Sequence, residues 1–175
     1  VAMLVASDLD GNPRDAKIRG ALAITQSELV EIYDDAIKWH DICEWSRREG
    51  RVMTRQQLQF GAIVLDDRKW SAAPAEDIAH AMLEGVRQIG LLPTPAANRY
   101  LARVKLGHDG GLDLPLMDDE TLMDRLEDWL LPHLNGVTKT SDWRKFDILP
   151  ALKGILSWDQ NAALDKAIPA RFTTP

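Results

Sequence analysis

The sequence predicts an α+β protein: a small, mainly β module over residues 1–70, followed by an all-helical module over residues 71–175. Three observations carry that reading. In the first part, apolar residues alternate with polar ones, the period of half-buried strands. In the second they recur every three or four positions, the period of amphipathic helices. Between the two lies Ser71-Ala72-Ala73-Pro74, a run of small residues closed by proline, which suits a linker.

The elements follow in order. Val1 to Ser7 reads as a short apolar strand, and Asp8-Leu9-Asp10-Gly11-Asn12-Pro13 as a turn in which Asp and Asn bond the local backbone. Ala16 to Ile24 resumes as a strand, with Ile18, Leu22 and Ile24 on one parity. Thr25 to Asp34 suits a short helix capped by Ser27. The longest alternating stretch then runs from Ile37 to Leu65 as two arms about Arg47-Arg48-Glu49-Gly50, a charged hairpin turn with glycine where positive φ is easiest. Ile37, Trp39, Cys43 and Trp45 share one face of the first arm. Val52, Leu58, Phe60, Ala62 and Val64 share one face of the second. Four or five such strands can close as a partly open barrel of the oligonucleotide-binding kind, although patterning alone does not separate that from a sandwich.

In the second part, Ala75 to Ile89 carries Ile78, Met82, Val86 and Ile89 at helical spacing, with Gly90 placed to end it. Thr94 and Pro95 start the next helix, which turns Tyr100, Leu101 and Val104 inward. Asp118 or Asp119 caps the strongest helix, whose stripe is Leu122, Leu126, Trp129 and Leu130 and which Pro132 disrupts. Asp147 to Leu156 and Ser157 to Ile168 give two more, and Ala170 to Pro175 reads as an extended tail. Trp129 and Trp158 are expected to anchor the core or an interdomain contact.

Composition narrows the function. With 45% hydrophobic and 27% charged residues the chain is globular rather than disordered. No apolar run is long enough to cross a bilayer, so no membrane partner is expected. The single cysteine, Cys43, excludes an internal disulfide framework and fits a reducing, cytoplasmic setting. A net charge of −6 speaks against a general nucleic-acid coat, so any such contact needs a local basic patch.

Most motif-like features have ordinary explanations. There is no Gly-Lys-Ser/Thr, hence no nucleotide-binding loop. Asp118-Asp119-Glu120-Thr121 is similar to an acidic helicase box but sits at a helix start, where it reads as capping. Asp8, Asp10 and Asn12 have the alternation of a calcium loop, but Pro13 stands where its glycine belongs and Arg19 where its glutamate belongs. His40, His80, His108 and His133 lack metal-site spacing, so no metal is expected. Cys43 lies on an apolar strand face and reads as core, with no local signature of a nucleophile. The hairpin is the exception. Arg47, Arg48, Arg51 and Arg55 against Glu49 make it the most basic window, and arginine forks suit phosphates. Lys17, Arg19 and Lys38 on neighbouring strands are weaker candidates. Trp39 and Trp45 serve packing or base stacking.

Taken in order, Leu4-Val5-Ala6-Ser7-Asp8-Leu9-Asp10-Gly11, Ala16-Lys17-Ile18-Arg19, the Trp39–Trp45 arm and Leu58-Gln59-Phe60-Gly61-Ala62-Ile63-Val64-Leu65 form a distinctive series. It continues through Leu83-Glu84-Gly85-Val86-Arg87, Ala102-Arg103-Val104, Leu126-Glu127-Asp128-Trp129-Leu130-Leu131-Pro132, Leu156-Ser157-Trp158-Asp159-Gln160, Leu164-Asp165, Pro169 and Phe172-Thr173-Thr174-Pro175. This series resembles the C-terminal region of the HrpB-type bacterial ATP-dependent helicases, relatives of the DEAH-box RNA helicases. The resemblance implies a piece of a longer enzyme, as does the start at Val1 within an apolar run, and a helical module truncated at its end. It further implies that ATP and Mg belong to a helicase core outside this chain. The chain alone would then hold no cofactor, contribute no catalytic residue and hydrolyse no ATP. Its implied role is to contact RNA or single-stranded nucleic acid through Arg47, Arg48, Arg51 and Arg55, and to buttress the core. The alternative is a protein-interaction or scaffolding module, favoured by the acidic helical half with Glu76, Asp77, Glu84, Glu127 and Asp128.

Overall fold

The computed structural model describes residues 3–12 and 14–170. It is α+β, with five strands and eight α-helices in the described residues. The chain forms two compact units, Val1–Ile42 with Arg55–Ser71, and Cys43–Thr54 with Ala72–Pro175. A long hairpin passes from one into the other, so its turn belongs with the helices.

In the first unit, β1 (Met3–Leu9) pairs antiparallel with β2 (Ile18–Ile24). The strand runs two residues beyond the predicted Ser7, because bulges flanking Asp8 let Asp8 and Leu9 stay in register with Gly20 and Ile18. The turn follows as expected: Asp10 Oδ1 accepts from the backbone N–H groups of Asn12 at 3.2 Å and Lys17 at 3.1 Å, and Gly11 has φ +77°. Both strands have a largely exposed apolar set. Leu4 of the expected apolar strand is 63% exposed, and Leu22, placed by parity on one face with Ile18 and Ile24, is 72% exposed. A two-stranded ribbon has no second layer to cover either face.

Helix α1 (Gln26–Ile32) is capped by Thr25, not Ser27. Thr25 Oγ1 accepts from Glu28 N at 3.2 Å, and the Glu28 carboxylate accepts from Thr25 N at 2.8 Å. This reciprocal box needs a glutamate three residues after the cap, a condition only Thr25 meets. It also holds the Glu28 carboxyl below its ordinary pKa.

Strands β3 (Ile37–Ser46), β4 (Arg51–Phe60) and β5 (Ile63–Lys69) form a second sheet in the order β3-β4-β5. The predicted second arm therefore stops at Phe60. Gly61 at φ +57° begins a two-residue turn, and Ile63 pairs back onto Phe60. Only the first turn residue has positive φ, the pattern of a type II′ hairpin. Continuous alternation across Gly61 hid that reversal. Among the described residues the five strands are thus hydrogen-bonded as two separate sheets.

The second unit holds nearly all the fully buried side chains. Helix α2 (Ala75–Ile89) buries Met82 and Val86 and ends at Gly90, φ +90°. Helix α3 (Pro95–Asp109) starts with Thr94 Oγ1 accepting from Ala97 N at 3.2 Å, and it buries Tyr100 and Val104. The expected strong helix is two short ones, α4 (Asp119–Asp124) and α5 (Leu126–Trp129), broken at Arg125. Its stripe nonetheless points inward: Leu122, Leu126, Trp129 and Leu130 are all buried. Asp118 is the cap, its carboxylate accepting from Thr121 N at 2.8 Å. A short helix that patterning missed, α6 (Thr140–Trp143), carries Trp143 into the core. The Trp143 indole donates to the Gly90 carbonyl at 3.1 Å, which lets so large an amphipathic ring be fully buried. Helices α7 (Leu149–Ile155) and α8 (Trp158–Ala167) close the unit, with Ser157 and Gln160 forming a second capping box.

Of the two expected anchors, only Trp129 lies in the core. Trp129 is buried, its indole donating to Leu122 O at 2.9 Å, whereas Trp158 is 82% exposed. It occupies the first helical position after the Ser157 cap and faces away from the core, which α8 reaches with Leu164. The expected strand start at Val1-Ala2, Pro13 of the turn, and all of the expected tail after Ala170, from Arg171 to Pro175, lie outside the described residues.

Candidate nucleic-acid interface

The turn of the β3–β4 hairpin is held by a few contacts within the second unit. Trp45 lies against Gly85 of α2 so closely that a Cβ there would be 2.7 Å from its ring. Gly50 N donates to Ser46 O at 2.8 Å, closing the turn, and Glu49 N donates to Ser46 Oγ at 3.2 Å. The segment 138–140 then pairs with the turn. Val52 N donates to Thr138 O at 2.8 Å, Thr140 N donates to Gly50 O at 2.9 Å, and Thr140 Oγ1 adds a donation to the same carbonyl at 3.1 Å. Gly50 is required twice, by φ +61° and because a Cβ would meet Thr140 Oγ1 at 2.9 Å.

Three predicted arginines sit on this turn, each in a different state. Arg47 donates from Nε to Gln88 Oε1 at 3.1 Å, and among the described residues it has no carboxylate partner. Arg51 is paired with Glu49 at 2.7 Å. Arg48 is exposed, and among the described residues it has no ion-pair partner. Lys139, which sequence reasoning missed, forms an antiparallel bridge with Arg51. Such partners stand side by side, so the bridge adds a fourth cation to the turn. Only the folded chain brings position 139 to position 51, and no local pattern could have announced it.

The remaining predicted residues belong to the first unit. Arg55 is tied to Asp67 at 2.7 Å across β4 and β5, and Gln57 donates to the other carboxylate oxygen at 3.0 Å. The Arg55 bond is the main reason the Asp67 carboxyl lies below the ordinary carboxylate range. Lys38 is exposed on β3, Arg19 on β2, and Lys17 just before β2. Trp39, 41% exposed, has the Arg68 guanidinium 4.1 Å from its ring centroid. Arg68 was also missed in sequence; it in turn donates to Gln56 Oε1 at 3.1 Å. The two hairpin tryptophans therefore differ: Trp45 packs against the helical core, and Trp39 offers a partly open, cation-covered face. Cys43 is half-buried, and burial with the nearby Asp77 charge raises its pKa, which keeps it a thiol rather than a nucleophile.

Comparison with known proteins agrees with this layout. Residues 36–70, spanning β3, β4 and β5, match the connector region of the ATP-dependent RNA helicase HrpB family, and residues 129–175 match the ATP-dependent helicase C-terminal family. The ATP-dependent RNA helicase HrpB of Escherichia coli strain K12 is 35% identical over 167 residues, covering 92% of this chain and 20% of that protein. The crystal structure of the E. coli DExH-box NTPase HrpB superposes with a TM-score of 0.56 at 32% identity, over 97% of this chain and 22% of the other. A second, of the Escherichia coli DEAH/RHA helicase HrpB, gives 0.58 at 28% identity, over 98% of this chain and 22% of the other. The chain spans about a fifth of the length of the relatives it matches. In sequence, in family segments and in fold, it is a C-terminal region of the HrpB helicase type.

Proposed function

We propose that this chain is the accessory C-terminal region of an ATP-dependent RNA helicase, which grips single-stranded nucleic acid through its basic hairpin while buttressing the helicase core. ATP and Mg would be held by that core in the cytoplasm; this chain has no phosphate-binding loop with which to hold them. The β-rich module would act as an oligonucleotide-binding-like surface, and the helical module, from about residue 71, as its support. The observation that carries the reading is the turn: Arg47, Arg48 and Arg51 are presented on a backbone locked to segment 138–140, so little order is lost when phosphates bind. The exposed apolar residues of β1 and β2, among them Leu4, Ile18 and Leu22, support the buttressing role, because such a patch is commonly covered by a partner surface.

The test is single-stranded RNA binding by the parent enzyme at several salt concentrations, with Arg47, Arg48, Arg51 and Arg55 changed to Ala singly and together. For every phosphate that an arginine no longer neutralises, the slope of log affinity against log salt should become shallower by about 0.7. Arg48→Ala and Arg47→Ala should matter most, since Arg51 and Arg55 already have carboxylate partners. Unchanged affinity and slope in the quadruple variant would remove the hairpin from the RNA path. If the variant still bound the helicase core normally, the chain would instead be a protein-interaction module. The acidic first turn of α2, with Glu76 and Asp77, favours that second reading.

A further inference from the structure

The helical half of the chain is rich in carboxylates, yet one of its clefts is lined with cations. It lies between α3 and α7 and has a volume of about 220 Å³. Arg99 and Arg103 of α3 are four residues apart and so share a face, as do Leu149 and Lys153 of α7. All four line the cleft together with Tyr100 and Ala96, and none of its lining residues is acidic. Arg103 is held in place: Nη2 donates to Asp165 at 2.5 Å and Nε to the Ile168 carbonyl at 2.8 Å. Asp165 is thereby committed to Arg103. Among the described residues, neither Arg99 nor Lys153 has a carboxylate within ion-pair distance. Tyr100 bonds Asn161 Oδ1 through its hydroxyl at 3.0 Å, and burial pushes its pKa up to about 12, so it stays a neutral phenol at the cleft wall.

Two uncompensated cations facing one concavity repel each other, and a bound anion would relieve that repulsion. A fixed arginine and two further, exposed cations, on walls that also carry alanine and leucine, suit a compact oxyanion with several acceptor oxygens. We propose that the α3–α7 cleft is a phosphoryl-binding site, with Arg99 and Lys153 as its ligands and Arg103 as the positioning residue that keeps Asp165 out of it. The site lies in the helical unit, outside the hairpin, and its existence does not depend on the hairpin binding RNA.

The experiment is an NMR titration of the 175-residue chain with inorganic phosphate, ionic strength being held constant with sodium chloride. Saturable shifts should appear at the Arg99 and Arg103 Nε–H signals and at backbone amides of α3 and α7. In Arg99→Gln/Lys153→Gln the apparent affinity should fall by roughly tenfold or more. Lys153→Glu, which supplies its own counter-charge, should abolish the saturable shifts while signals from the rest of the chain stay in place. A short single-stranded RNA is the second probe. If it moves the same signals at lower concentration, the phosphoryl group belongs to a nucleic-acid backbone; tighter binding of inorganic phosphate makes it that of a small molecule. Linear, non-saturating shifts, or an unchanged midpoint in the double variant, would overturn the site.

Discussion

Gly85 offers a direct test of how the hairpin is held, because two opposing effects meet there. In an exposed helix interior, Gly→Ala gains about 1 kcal/mol through reduced backbone entropy in the unfolded chain. At Gly85 the added Cβ would stand 2.7 Å from Cδ2 and Cε3 of Trp45 and 2.9 Å from Cζ3. These are atoms of a rigid ring packed against the core, not the end of a flexible chain. Overpacking of this kind costs about 1–3 kcal/mol, so Gly85→Ala should be neutral to destabilising by about 2 kcal/mol once the helix gain of about 1 kcal/mol is subtracted. Removing the obstacle should reverse the sign. In a Trp45→Leu background, Gly85→Ala should stabilise by about 1 kcal/mol, giving a coupling of about 1–3 kcal/mol between the two positions. Urea unfolding of the four proteins, followed by far-ultraviolet circular dichroism, measures it without depending on Trp45 fluorescence. If Gly85→Ala stabilises both backgrounds equally, Trp45 does not clamp the hairpin to α2.

Further outcomes follow from the same contacts. Trp143→Ala should cost about 3–5 kcal/mol by emptying the centre of the helical core, whereas Trp143→Phe should cost less, keeping most of the packing while stranding the Gly90 carbonyl; both are measurable by urea unfolding. Ser157→Ala should cost about 0.5–2 kcal/mol by removing the cap of α8, read as faster hydrogen exchange in its first turn. The Asp67 carboxyl is depressed by Arg55, so its contribution to stability is present above its unfolded-state pKa and lost as pH falls through the folded value. Arg55→Gln should therefore raise the Asp67 midpoint in an NMR titration and move that loss of stability to higher pH.

Much of the fold was legible because its signals are local. The helix starts at Thr94 and Ser157, and the one narrowed to Asp118 or Asp119, depend on a side chain bonding a backbone group three residues on, so residue type and spacing place them to within a residue or two. The stripe of Leu122, Leu126, Trp129 and Leu130 survived even though its helix is broken at Arg125, because burial follows the period rather than the hydrogen-bond ladder. Errors arose where a local pattern had two readings. Alternation continues through Gly61, so the reversal there was hidden. Of the core and interdomain alternatives for Trp158, its place at the first position after a cap, 82% exposed, excludes the core one.

For the candidate site, the division is sharper. Sequence alone determined that the basic window is a hairpin turn, that its glycine takes positive φ, and that the chain belongs among the HrpB-type C-terminal regions. Charge density and turn chemistry are properties of adjacent residues, and the family resemblance is an order of motifs. Only tertiary structure decided which cations keep their charge free. Arg51 and Arg55 are matched by Glu49 and Asp67, while Lys139 is carried to Arg51 by pairing distant in sequence. The cleft of Arg99, Arg103 and Lys153 was likewise invisible beforehand, since its charge arises from two helices meeting and from Asp165 being taken up by Arg103. Net charge sums over the whole chain, but a phosphate responds to the few groups within a Debye length of it, and only folding chooses those groups.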